Sequence, residues 1–172
     1  MRLIIFILLL CPIFGIGQKT NAFIKLTDAR SQEIKGEAVL KGFEKWIDAT
    51  SLNSGGKNNT QLSFTMTING ASAALKKALA NGESLVSGQV TVLSPNQSAG
   101  SPVILYTIKM EKIAVTTCYE AMGCNNIINT TVTLQATRIG WTYYQTGKGN
   151  GSASISNKYG WDAEKNADWT NF

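Results

Sequence analysis

Leu62-Ser63-Phe64-Thr65-Met66-Thr67-Ile68 is the stretch that decides the fold class. Its apolar residues alternate strictly with hydroxyl residues, which is the period of a β-strand with one dry face and one wet face. Looser signals of the same kind run through 23–27, 38–47, 89–93, 103–115 and 129–144, all rich in Val, Ile, Thr and aromatic residues. The last two are long enough to curve around a barrel or to carry bulges. Turn chemistry separates the strands: Ser54-Gly55-Gly56-Lys57-Asn58-Asn59, then the stretch from Pro95 to Pro102, then Gly147 to Gly151. One helix interrupts them. Asn69 is placed to cap a segment from Gly70 to Asn81, in which Leu75, Ala78 and Leu79 share a face, and Gly82 sits where a left-handed C-terminal residue belongs. The expected architecture is mainly β: a compact antiparallel β-barrel or two-sheet sandwich with one flanking α-helix.

The N-terminus reads as something to be removed before folding. Met1-Arg2 is a short positive region, and Leu3 to Ile16 is an apolar run interrupted only by Cys11, Pro12 and Gly15. The run falls short of the roughly 20 residues of a spanning helix. We therefore expect a signal peptide over residues 1–22, cut after Gly17 or Ala22, and a folded domain over 23–172. The expected destination is the periplasm or the medium, with no membrane span once the signal is cut.

Composition excludes chemistry more firmly than it suggests it. The 172 residues include no His, so a Ser/His/Asp triad, a Cys/His pair, a His-ligated zinc and a His proton shuttle are all ruled out. The net charge of +5 falls to +3 once Arg2 and Lys19 leave with the signal, too little and too scattered to argue for nucleic acid.

Few chemical motifs remain. Cys118 and Cys124 enclose a short loop and, in an oxidising compartment, are expected to form a disulfide. With no His available, a metal there would need carboxylates such as Glu120. Gly147-Lys148-Gly149-Asn150-Gly151 lacks the spacing of a phosphate-binding loop and reads as an exposed turn. A carboxylate pair such as Glu37 and Glu44 is conceivable for sugar hydrolysis, but nothing in the sequence selects any two of the eleven acids. Trp46, Trp141, Trp161 and Trp169 with Tyr143, Tyr144 and Tyr159 could form a sugar-binding platform, although aromatic residues in a β protein more often pack in the core. No catalytic, cofactor-binding or metal-binding residue is assigned.

Several stretches resemble one family in register. Phe23-Ile24-Lys25-Leu26 followed by Ile34-Lys35-Gly36-Glu37 resembles the opening of the haemolysin-coregulated proteins (Hcp), the tube subunits of type VI secretion systems. Leu62-Ser63-Phe64-Thr65 resembles the family's central strand. The segment from Ala74 to Glu83 is similar to its helix, and Lys158-Tyr159-Gly160-Trp161-Asp162 resembles its closing strand. The resemblance implies a non-enzymatic subunit that assembles into hexameric rings, stacks into a tube and carries effectors, with itself, the secretion apparatus and effectors as partners. It also implies that the family's ring-stacking loop maps onto Thr50 to Asn59, with Ser54, Gly55, Gly56, Lys57 and Asn58 at its centre. The signal sequence departs from the family pattern. An exported binding module for carbohydrate or surfaces, without ring assembly, is the alternative.

Overall fold

The structure is a computed structural model that describes residues 21–55, 60–94, 103–123, 126–146 and 153–172. Its elements run β1 (Asn21–Thr27), β2 (Glu33–Ile34), β3 (Ile47–Ala49), β4 (Ser51–Ser54), β5 (Gln61–Thr67), α1 (Gly70–Asn81), β6 (Leu85–Leu93), β7 (Ile104–Met122), β8 (Ile128–Thr146), β9 (Ala153–Asp162) and β10 (Ala167–Asp168). The main path of hydrogen-bonded strands is β10-β9-β8-β7-β6-β1-β2, all antiparallel, with β5 added to β8, β4 to β5 and β3 to β1.

Two 19-residue strands organise this path because each belongs to two layers. The first part of β7, up to Ile113, pairs with β6, while β8 pairs with β5 over 129–135 and with β9 over 138–146. Lys112 sits at φ 49°, a left-handed conformation inside a strand, and it marks the point where β7 leaves β6 behind. Further on, the β7–β8 register shifts between Val115 and Thr117, a bulge of the kind that bends and twists a strand. The expected barrel of two sheets is thus realised as one connected sheet folded into layers, and that sheet is not closed. Where closure would occur, β3 pairs with β1 and β4 with β5, and Thr50 between them donates its N–H to the Thr65 carbonyl at 2.8 Å.

The alternation that opened the sequence reading is visible in β5. Leu62, Phe64 and Met66 are fully buried, whereas Ser63 and Thr65 turn to the other face and hydrogen-bond Thr133 and Thr131 of β8. Ile68 lies past the strand and is exposed. The helix also follows its sequence signals. The Asn69 side chain accepts from the Ala71 N–H, the Ser72 hydroxyl accepts from the Asn69 N–H, and Gly82 closes the far end at φ 62°. Leu75 and Ala78 enter the core against β7, and Leu79 is half-buried.

The strand expected over 38–47 is not formed. Gly42 and Lys45 take positive φ, and the chain turns twice, from Leu40 to Phe43 and from Phe43 to Trp46. Its apolar residues, Ala38, Leu40, Phe43 and Trp46, instead build a second small cluster with Phe23 and Leu93. Gly36 allows this: a Cβ there would lie 2.6 Å from the Cα of Ile47, so only glycine lets the two chain segments approach.

Candidate functional site

The β1–β6–β7–β8–β9 layer has an inner face packed into the core and an outer face where the other distinctive features collect. Register places the outer residues in cross-strand rows. One row is Phe23, Thr91, Thr107, Thr142 and Lys158; the next is Lys25, Gln89, Lys109, Gly140 and Gly160; the third is Thr27, Ser87, Glu111, Arg138 and Asp162. Thr91, Thr107 and Thr142 are buried although they face away from the core. The 36–46 turns cover one flank of this face, and the segment after β10 covers the other.

That segment, Trp169 to Phe172, crosses back over β8 and β9. The Trp169 N–H donates to the Gly160 carbonyl at 2.9 Å, and the Phe172 ring lies on Gly140 and Gly160, which are register partners. A Cβ at Gly140 would stand 2.5 Å from the ring, and a Cβ at Gly160 would collide with it as well. Trp169 flanks the ring with centroids 4.9 Å apart, and the Lys158 ammonium sits 4.1 Å from its centroid. Beside this segment lies a groove of about 400 Å³. Lys25, Gln89 and Lys109 contribute to its floor, and Trp169 and Phe172 form a wall.

The third row is an ionic clasp on three strands. Arg138 bridges Glu111 at 2.9 Å and Asp162 at 3.0 Å, while Asp162 also accepts from the backbone N–H groups of Glu164 and Lys165. Burial pushes the Asp162 carboxyl up, but the two backbone donors and the Arg138 guanidinium outweigh it and hold the group below the usual carboxylate range. The arrangement is a structural anchor for the turn that follows β9. It presents no free carboxylate pair.

The residues singled out in the sequence are scattered. Cys118 lies in the second part of β7, opposite Val132, with a free thiol pushed up mainly by burial, against the lowering effect of Lys76. The expected bridge to Cys124 is not seen. Residues 118–122 are paired in extended register with 128–132. Cys124 itself lies outside the described residues, as do Gly56, Lys57, Asn58 and the stretch from Gly147 to Gly151. Of the expected stacking loop, Ser54 ends β4, and Gly55, at φ 116°, donates to the Gln61 carbonyl across the start of the β4–β5 hairpin.

Most of the aromatic residues singled out in the sequence pack against another ring, and Tyr143 and Tyr159 keep part of their surface exposed. Trp141 is buried and stacks on Tyr159, Trp46 meets Phe43 edge-on, and Trp169 leans on Phe172. Burial and the neighbouring Tyr143 raise the Tyr106 hydroxyl above its ordinary value, in a pair of tilted rings 5.7 Å apart. Among the described residues, no group of three or more Cys, Asp or Glu side chains is placed to hold a metal ion. No helix there is long and apolar enough to cross a membrane.

Sequence reasoning missed the Gly140–Gly160–Phe172 contact and the Arg138 cluster. Gly140 did carry a signal, because an isolated glycine inside a strand pattern often marks a close approach of another chain segment. Nothing local tells which segment arrives.

Residues 23–143 match the family model described as "Type VI secretion system effector, Hcp". No curated protein matches the chain. Among solved structures, Hcp1 from Salmonella typhimurium superposes with a TM-score of 0.71 at 18% identity, covering 88% of this chain and 99% of that one. The Hcp1 protein from the E. coli EAEC 042 pathovar gives 0.61 at 24% identity, covering 79% and 97%. Hcp3 from Pseudomonas aeruginosa, described as a secreted protein, gives 0.60 at 19% identity, covering 80% and 97%.

Proposed function

Because the chain belongs to the Hcp family of type VI secretion system effectors, we propose that it is a non-enzymatic structural subunit that closes into six-membered rings, which stack into a tube and carry effectors. The family match over 23–143 is the observation that carries this reading. The open sheet adds support. A subunit with unpaired strand edges is suited to a heterologous contact, which repeats head to tail until the rotation closes. The β4–β5 hairpin, which holds Ser54 and Gly55, is the segment proposed to reach the next ring. Light scattering on the purified protein tests the assembly: a species of about six subunits is expected, and a monomer at every concentration would count against the ring.

Export through a cleaved signal is part of the same proposal, and the fold favours one of the two expected cuts. Asn21 and Ala22 already belong to β1. Ala22 is 5% exposed and pairs with Val92 on one side and Ala49 on the other. A cut after Ala22 would strip both residues from the strand, whereas a cut after Gly17 leaves β1 whole. N-terminal sequencing of the exported protein should start at Gln18; a start at Phe23 would refute the preference.

A further inference from the structure

The outer-face contact at Gly140 and Gly160 has the features of a key and its seat. We propose that residues 167–172 form a displaceable clasp whose key is the Phe172 ring, and that the seat floored by Gly140 and Gly160 is a binding site for an aromatic side chain, filled here by the chain's own segment. Two cross-strand register partners both lack a Cβ at the one place where a ring lies on them, and a methyl group at either would collide with that ring. On the seat's side the contact specific to an aromatic occupant is the Lys158 ammonium, 4.1 Å from the ring centroid, while the Trp169 ring packs beside Phe172 within the clasp itself. Lys158 also donates to the Thr170 and Phe172 carbonyls at 3.3 and 2.6 Å, so one side chain holds both the ring and the backbone that presents it.

The clasp is separable from the barrel because little else holds it. Apart from the two Lys158 bonds, its attachment to β9 is the two-residue pairing of Ala167 and Asp168 with Asp162 and Trp161 and the bond from the Trp169 N–H. Asp168, Thr170 and Asn171 are exposed. Opening it would bare the glycine floor and remove the Trp169 and Phe172 wall of the 400 Å³ groove above Lys25, Gln89 and Lys109, so the shape of that groove depends on the state of the clasp. The inference stands on the geometry of one chain and does not depend on ring assembly.

Hydrogen exchange on the full chain, read by mass spectrometry, tests it. Phe172→Ala should raise exchange across 160–172 at least tenfold while β5 to β8 keep their protection. Lys158→Met, which keeps the side-chain stem, should raise it less, by roughly threefold or more. Unchanged exchange in the clasp of both variants, or loss of protection in β5 to β8 in step with it, would overturn the proposal. A peptide with the sequence of residues 167–172, added at millimolar concentration to the Phe172→Ala chain, should restore protection at 160–162. The same peptide ending in Ala should not. Equal behaviour of the two peptides would show that the seat does not read the ring, and would likewise overturn the site.

Discussion

The two faces of the β6–β7–β8 layer exclude water in different ways, the inner face along its whole central row and the outer face only in part, at Thr91, Thr107, Thr142 and Gly140. On the inner face the central row reads Ile24, Val90, Ile108 and Trp141 across four strands, and large apolar side chains fill the space. On the outer face the corresponding rows hold Thr, Gln, Lys and Gly, and dryness comes from what lies on top: the Phe43–Trp46 cluster at one flank and Trp169 to Phe172 at the other. The inner face excludes water through its own composition. The buried part of the outer face stays dry only while its covers are in place, so its stability is local and its loss need not unfold the barrel.

The largest expected effect therefore belongs to the inner face. Ile108→Ala removes a fully buried side chain at the centre of the row and should cost about 2–5 kcal/mol in chemical denaturation, with one cooperative transition. A cost below about 1 kcal/mol would mean that the inner face is not the cooperative core, and the contrast would fail.

Next comes the Arg138 cluster, where the outer face is pinned by charge. Asp162 is held below the usual carboxylate range in the folded chain, so the unfolded state binds its proton first as pH falls. The contribution is fully present above the unfolded value of about 3.9. It is lost as pH drops through the lower folded value. Wild-type stability, followed by urea titration between about pH 5 and pH 2, should therefore decline more steeply than that of Asp162→Asn. The variant should already be weaker at pH 7, since Arg138 keeps only Glu111. Parallel curves would remove Asp162 from the argument.

The smallest effect sharpens the comparison from the solvent side. Lys112 and Glu164 form an ion pair at 2.7 Å with both side chains more than half exposed. Glu164→Gln should change stability by no more than about 0.5 kcal/mol, with the difference vanishing in high salt. A larger loss would mean that the pair, and not the backbone, holds Lys112 in its left-handed conformation.

Legibility in the sequence followed the range of the interaction that fixes each feature. Strand β5 and helix α1 were readable because alternation at 62–67 and the Asn69 and Gly82 caps act within a few residues. The 38–47 stretch misled because its apolar residues look like a strand, yet two positive-φ positions and a distant partner, Phe23, turn it into a cover. The resemblance supplied Gly160 as part of a Tyr-Gly-Trp motif, but the reason for a glycine there lies in the Trp169 carbonyl and the Phe172 ring, nine and twelve residues further on. The Cys118 to Cys124 bridge was expected from a short spacing in an oxidising compartment; Cys118 is placed in β7 opposite Val132, and Cys124 lies outside the described residues.

By itself, the sequence determined the strand-rich class, the single capped helix, the absence of imidazole chemistry and the family. These rest on periodicity, caps and composition, which are local or summed quantities. Only the tertiary structure decided that the sheet stays open, that Lys112 takes a left-handed conformation inside β7, that 36–46 and 169–172 cover one face, and that Gly140 and Gly160 receive a ring. Each of these depends on which distant segment arrives at a given surface, and chain-local preferences carry no record of that.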